Sequence, residues 1–271
     1  MINKTVVLSM SSHGARLNGL AFRLGWVQYV PFKFELYVGD KEVLPPDLVS
    51  LAEHTRNFSL EQVEDIGPLT KSYYALQKHP DSVIMLLDDD NPYTPQWILC
   101  MVDSFFVHRG SLPGCVIGIV SRRIIPTPGG GYCIMQFGRD QPEWQKRLGY
   151  PTGHAEPMVP SYRNIILSGA PGSFLGIWQV HDDYFDKDLY RSVCPTQDEM
   201  WNWVQSVRLG NKHACLHTYW VAPPTIQDLQ SDALHIVNTI EHEEGMFSKF
   251  VSMYPDVLSK LVLDADYRSF R

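Results

Sequence analysis

Ser82-Val83-Ile84-Met85-Leu86-Leu87-Asp88-Asp89-Asp90 runs five apolar residues straight into three aspartates. Bounded by Pro80 and Pro92, so short an unbroken apolar run predicts a strand buried on both faces. The acids then stand where that strand leaves its sheet. In open α/β sheets, ligands bind just outside the carboxyl ends of the strands. Three carboxylates crowded there repel one another. A divalent cation relieves the repulsion, and carboxylate oxygens suit Mg²⁺ or Mn²⁺. The plain alternative is a solvated acidic turn. The triplet follows a wholly apolar strand and not a polar loop, which favours the metal site.

Upstream, Thr5 to Ser9 reads as a first buried strand. It enters a small-residue loop, Met10-Ser11-Ser12-His13-Gly14-Ala15-Arg16. Ser11 or Ser12 is placed to cap a following helix, and Gly14 lets the backbone come close to a ligand. The spacing of Leu17, Leu20, Ala21, Leu24 and Val27 predicts a helix from Ala15 to Tyr29. Phe34 to Val38 is a second strand, closing β-α-β within about 40 residues, the opening of a nucleotide-binding α/β half. The loop has neither G-x-G-x-x-G nor G-x-x-x-x-G-K-[ST], which argues against dinucleotide and P-loop sites. Pro45-Pro46-Asp47 opens a short helix, and Phe58 to Val63 reads as a strand. Asp65-Ile66-Gly67-Pro68-Leu69-Thr70-Lys71 opens a helix to Lys78, with Pro68 in the first turn and Asp65 near the positive helix end. On spacing alone, Lys71 is either a solvated helix lysine or a cation near the end of the triplet's strand.

Downstream, Asn91 to Trp97 turns into a helix ending at His108, and Val116 to Val120 is another apolar strand. Arg122 and Arg123 follow it, placed to meet phosphate or carboxylate, or to form a solvated edge. Pro126 to Pro160, with Gly129-Gly130-Gly131, reads as irregular or hairpin structure of the kind that shapes a substrate pocket. Ile165 to Ser168 breaks into Gly169-Ala170-Pro171-Gly172-Ser173, where backbone can approach a ligand. In Cys194-Pro195-Thr196-Gln197-Asp198-Glu199-Met200-Trp201, Thr196 and Glu199 form the pattern of a capping box. That leaves Asp198 free of the cap, in a first turn whose dipole favours its charge. The helix continues to Gly210, and Ala214 to Val221 is a last strand. The tail from Ile240 is helical, with Met246, Phe247, Phe250 and Val251 on one face and a break at Tyr254-Pro255. His242, among Glu241, Glu243 and Glu244, is either solvated or a third metal ligand.

At 271 residues the chain suits one α/β domain or two tightly joined lobes. A net charge of −7 argues against a nucleic-acid partner. Cys100, Cys115, Cys133, Cys194 and Cys215 are odd in number and form no C-x-x-C pair, as expected of reduced thiols in a cytoplasmic protein. Met1-Ile2-Asn3-Lys4 leads at once into a strand with no secretory h-region. No apolar run approaches the roughly 18 residues that span a bilayer. The expectation is a soluble protein able to visit a membrane surface.

Four ordered motifs together resemble the GT-A superfamily of glycosyltransferases, and most closely bacterial and viral enzymes of surface-glycan synthesis. They are Ser12-His13-Gly14-Ala15-Arg16, Gly67-Pro68-Leu69-Thr70-Lys71, Asp88 to Asp90 with Pro95 and Trp97, and Cys194 to Trp201. The likeness spans roughly residues 5 to 205. The loop at Gly169 to Gly172 departs from it, being shorter than the family's glycine run. The resemblance implies a single GT-A-like (Rossmann-like) α/β domain with a mixed central sheet flanked by helices. Residues 1–90 would form the nucleotide-sugar half, and 91–271 the acceptor half with a helical tail. It implies a UDP- or GDP-sugar donor, a glycan acceptor, and a loop of Ser9, Ser11, Ser12, His13 and Arg16 holding the nucleoside. Asp65, Lys71, Asp88 and Asp89 would serve the donor, and Asp88 and Asp90 a Mn²⁺ or Mg²⁺ ion, for which His242, from its place among the acids and not from the resemblance, is the candidate third ligand. Asp198 matches the acidic position of inverting members, where it acts as general base. Asp182, Asp183 and Glu199 are the alternatives.

Three rival readings remain in view. A haloacid-dehalogenase-like phosphohydrolase carries D-x-D-G-[TV] near its start, whereas these acids follow several strands and precede Asn91-Pro92. A sugar-nucleotide pyrophosphorylase wants a G-x-G-T-R-type loop, which Ser11 to Gly14 is not. A glycan- or nucleotide-binding protein without turnover shares every feature.

Overall fold

The computed structural model describes residues 5–110, 112, 114–118, 121–126, 132–134, 159–162, 165–167, 172–215, 226 and 240–262. In chain order the elements are β1 (Val6–Ser12), α1 (Leu20–Arg23), β2 (Lys33–Gly39), α2 (Pro46–His54), β3 (Phe58–Val63) and α3 (Thr70–Lys78). Then come β4 (Val83–Asp88), α4 (Pro95–Arg109), β5 (Val116–Gly118), β6 (Ser121–Pro126), β7 (Tyr132–Ile134), β8 (Val159–Tyr162) and β9 (Ile165–Leu167). The last are β10 (Ser173–Leu175), α5 (Lys187–Val193), α6 (Asp198–Arg208), β11 (His213–Cys215), α7 (Ile240–Met253) and α8 (Pro255–Val262).

Among the described residues the main sheet is ordered β3-β2-β1-β4-β10-β5-β11-β8, with β7-β6-β9 as a smaller one. β3, β2, β1 and β4 are all parallel. β10 then runs antiparallel to both β4 and β5. This is the expected mixed, Rossmann-like α/β architecture. Among the described residues no helix is long and apolar enough to cross a membrane.

Period-2 alternation sorts each central strand between two cores. Val6, Leu8, Met10, Val83, Met85 and Leu87 pack with α4 residues such as Trp97, Ile98 and Met101. Val7, Ile84 and Leu86 pack on the other side with Leu69, Ala75 and Leu76 of the α3 segment and Trp201 of α6. By the same alternation Asp88 leaves β4 toward α3. Burial on both faces is what the unbroken apolar run at 83–87 requires.

Several expectations change. The helix foreseen from Ala15 to Tyr29 is broken into a 3-10 turn at Gly14–Leu17, the short α1, and a second 3-10 turn at Gly25–Tyr29. Gly19 sits at φ 67°, a left-handed conformation through which a right-handed helix cannot pass. Ser11 and Ser12 end β1 and do not cap a helix. The cap position of α6 falls at Gln197, with no side-chain cap bond, and not at Thr196. Gly172, at φ 90°, approaches Met85 and Trp97 closely, so its lack of a side chain serves the core. The side chains of Arg122 and Arg123, the run Gly129-Gly130-Gly131 and Gly169-Ala170-Pro171 lie outside the described residues. The strand expected from Ala214 to Val221 begins in β11 (His213–Cys215), and its residues 216–221 lie outside the described residues.

β2 carries a buried acid on the α3 side. Glu35 lies 2.8 Å from Lys33 Nζ, 2.9 Å from Lys78 Nζ and 2.8 Å from His79 Nε2. These contacts pin the C-terminal end of α3 to the sheet. Burial alone would raise the Glu35 carboxyl, but hydrogen bonds from Lys33, Lys78 and His79 outweigh it and hold the carboxyl below its ordinary range. Glu35→Gln, which keeps the volume and removes the charge, is expected to cost roughly 3 kcal/mol in urea melts at neutral pH. A lowered carboxyl pKa gives stability that is present above the unfolded value and lost as pH falls through the folded one. The wild type should therefore lose stability on acidification below about pH 4, with a flatter curve for the variant. Identical pH curves would show that Glu35 is not the pin.

Candidate active site

The parallel register places Ser11 of β1 beside Asp88 of β4, so their carboxyl ends share one edge. α3 begins over that edge. Gly67, at φ 73°, leaves Pro195 O so close that a Cβ would meet it at 3.1 Å. Only glycine fits there, and the contact joins the Gly67–Lys71 motif to the Cys194–Trp201 motif. Asp65 Oδ1 accepts from Gly67 N at 2.8 Å and lies 3.3 Å from Thr70 Oγ1, which shapes this turn. Beneath it, Tyr184 Oη sits 2.7 Å from Ser72 Oγ and 2.6 Å from Asn202 Oδ1, tying α3 to α6.

Lys71 is thereby buried, its side chain only 5% exposed. Its ammonium is ion-paired to Asp88 and lies 3.4 Å from Asp198 Oδ2. Burial opposes its charge, but Asp198 and Asp88 more than offset that and hold its pKa well above the usual lysine range. Ser9 Oγ donates to Lys71 O at 2.7 Å, fixing the backbone behind the ammonium. The solvated-lysine alternative is thus replaced by a buried cation between two acids.

The three aspartates do different work. Asp88 gives one oxygen to Lys71, takes the other outward with a side chain 35% exposed, and donates its backbone N–H to Tyr93 Oη at 3.1 Å. Asp89 is engaged at both oxygens, by Ser12 Oγ at 2.6 Å and Arg16 Nη1 at 2.7 Å. It fastens the loop after β1 to the triplet. Asp90 Oδ1 accepts from Asn91 Nδ2 at 3.0 Å, and its Oδ2 lies 3.8 Å from Arg16 Nη1. Arg16 is therefore a tie within the chain. His13 is exposed, with extended backbone, and Gly14 N donates to Glu42 Oε1 at 3.0 Å.

Asp198 opens α6 in a buried position. Desolvation, with the charges of Asp88 and Glu199, raises its carboxyl to about 6 against the opposing pull of Lys71. Among the described residues, its buried Oδ2 faces the Lys71 ammonium at 3.4 Å. The alternatives lie elsewhere: Asp183 is held by Arg208 Nη1 at 2.7 Å, and Asp182 shares its 3-10 turn. Glu199 is next to Asp198, and its charge raises the Asp198 carboxyl.

Among the described residues no three of His, Cys, Asp and Glu are gathered to hold a metal ion. His242, on α7, therefore does not complete a three-ligand set with Asp88 and Asp90. What the structure brings together is Ser9, Ser12, Arg16, Lys71, Asp88, Asp89, Asp90 and Asp198. Tyr93, Ser72, Tyr184, Asn202 and Glu243 belong to the surroundings and carry no spacing signal that would have singled them out.

No family model matches the chain, and no curated protein sequence matches it. Among solved structures it is similar to a cytidylyltransferase from Leptospira borgpetersenii serovar Hardjo-bovis, at 13% identity and TM-score 0.45, over 94% of this chain and 97% of that one. It is also similar to S. aureus TarS 1-349, at 11% identity and TM-score 0.49, over 93% of this chain and 72% of that one. A CMP:2-keto-3-deoxy-manno-octonic acid synthetase complexed with CTP gives 9% identity and TM-score 0.43, over 93% and 100%. These are likenesses of overall path, and the reading of the site rests on its own residues.

Proposed function

We propose that the chain is a glycosyltransferase that moves a sugar from a UDP- or GDP-sugar to a glycan hydroxyl with inversion, Asp198 acting as general base. The observation that carries this reading is the buried Asp198 carboxyl, raised to about 6, beside Lys71 at the carboxyl end of β4. A base with that value is ionised at neutral pH yet basic enough to take a hydroxyl proton in the transition state. Lys71 supplies a fixed positive charge next to the end of β4, where a diphosphate leaving group would gather negative charge. The Arg16–Asp89–Ser12 tie holds the loop after β1 ready for the nucleoside, so ordering it does not weaken binding.

The residues present fit a divalent cation. Asp88 keeps one oxygen without a partner among the described residues, and Asp90 follows two positions on. Two hard carboxylate donors, completed by substrate phosphate oxygens, are a usual Mg²⁺ or Mn²⁺ arrangement. When bound, the ion would neutralise charge developing on the departing diphosphate.

Three outcomes are expected. Asp198→Asn should lower kcat by roughly 10² to 10⁴ while donor affinity, read by calorimetry, barely changes. In the wild type, kcat should fall as pH drops below about 6, because protonation removes the base. The product's anomeric configuration, read by NMR, should be opposite to the donor's. Retained configuration, or near wild-type turnover by the Asn variant, would overturn the assignment.

Lys71→Met leaves Asp198 buried beside Asp88 without its cation. The expected cost is about 3–5 kcal/mol of stability, with a raised donor KM and an acid limb displaced to higher pH. A variant with unchanged melting and unchanged donor kinetics would remove Lys71 from the site.

Asp90→Ala should weaken binding of a nucleoside diphosphate in Mn²⁺ while the fold persists. Equal affinities for variant and wild type by calorimetry would dismiss the metal assignment.

A further inference from the structure

The main chain of the acidic triplet is held by a side chain that the proposed chemistry does not use. Asp88 is the last residue of β4. Among the described residues, β10 pairs with β4 only as far as Leu86. Beyond that point the Asp88 N–H is met by Tyr93 Oη at 3.1 Å. A backbone N–H only donates, so the phenol oxygen is the acceptor. The bond closes residues 88–93 into a loop that contains all three aspartates. Within the loop, Tyr93 N donates to Asn91 O at 3.1 Å, and Asn91 Nδ2 donates to Asp90 Oδ1 at 3.0 Å. From outside, Ile226 N donates to Asp90 O at 2.8 Å. Tyr93 is only 5% exposed, and its ring packs on the α4 side of the sheet against Trp26 and Trp97, with centroids 6.1 and 5.1 Å away. The next residue, Thr94, caps α4 by accepting from Trp97 N. The hydroxyl is thus carried on a ring fixed by the core.

Packing does not call for that hydroxyl, since a phenylalanine would fill the same space between the tryptophans. What the oxygen adds is the position of the Asp88 main chain. Lys71 holds one carboxylate oxygen of Asp88, and Tyr93 holds the backbone from which the side chain springs. The outward oxygen of Asp88 is thereby aimed from both ends. We propose that Tyr93 is a positioning residue for a divalent cation at Asp88 and Asp90. Its phenol oxygen fixes the start of the 88–93 loop, and with it the spacing of the two carboxylates. This rests on the reading of Asp88 and Asp90 as cation ligands. Partners that orient metal ligands without touching the ion are commonly worth about 10- to 100-fold in its affinity.

Tyr93→Phe removes the oxygen and keeps the ring. Calorimetry on the full chain measures UDP and GDP affinity across a series of Mn²⁺ concentrations. In the wild type, affinity for at least one nucleotide should rise with Mn²⁺ to a plateau. In the variant, the midpoint of that rise should need about tenfold or more Mn²⁺, while the plateau stays within about twofold of wild type. A residue that only stabilised the turn would lower the plateau or change nothing. An unshifted midpoint, or a loss that saturating Mn²⁺ does not restore, therefore overturns the proposal. If Tyr93→Phe does not fold, 3,5-difluorotyrosine at position 93 carries the test. It keeps the ring and the hydroxyl but makes the oxygen a poorer acceptor, and should move the midpoint several-fold in the same direction. An unmoved midpoint again overturns the proposal. A wild type whose nucleotide affinity ignores Mn²⁺ sinks the cation reading and the role of Tyr93 together. A wild type that responds to Mn²⁺, matched by its variant, sinks the role of Tyr93 alone.

Discussion

A lysine ammonium buried between two carboxylates is the constraint on which the rest of this site depends. Removing such a charge from water costs several kcal/mol, and the offset requires opposite charges held in place. Asp88 and Asp198 provide them, from the end of β4 and the start of α6, while Lys71 comes from the start of α3. Three elements distant in sequence must therefore end at one point. The Gly67–Pro195 approach and the Tyr184–Ser72–Asn202 cluster keep them there. At the other end of α3, Glu35 anchors Lys78 and His79. The helix that presents Lys71 is fixed at both ends by charge.

The same economy explains why three adjacent acids do not simply repel one another. Alternation along β4 turns Asp88 toward α3, where Lys71 meets it. Asp89 turns to the loop after β1, where Ser12 and Arg16 meet it. Only part of the triplet's charge is left to face outward. A single stretch thus shapes the carboxyl-end edge of the sheet and, through Asp89, holds the loop beside it.

The elements that were legible in the sequence are those whose burial is uniform along the chain. The apolar runs at 6–8 and 83–87 became central strands, and Phe58–Val63 became β3 at the residues expected. Gly67-Pro68 opened α3, and the tail broke at Tyr254-Pro255, since proline and glycine act through local backbone geometry. The helix at 15–29 was misread because its apolar spacing is genuine but Gly19 is left-handed, and spacing does not report φ. The cap of α6 was misread for a related reason. Cap patterns say which residues are able to bond, while the path of the preceding chain decides which one stands at the cap.

The sequence by itself determined that a two-sided strand ends in three acids, that Asp198 begins a helix, and that Lys71 stands near the start of another. Hydrophobic period and turn chemistry act over a few residues, so they are written locally. Only the tertiary structure decided that Lys71 is buried and shared by Asp88 and Asp198, that Asp89 is spent on Arg16 and Ser12, and that Gln197 meets Glu243. Each of those is a contact between segments at least 17 residues apart. Its energy depends on distance and desolvation, and neither exists until the sheet has brought the strand ends together.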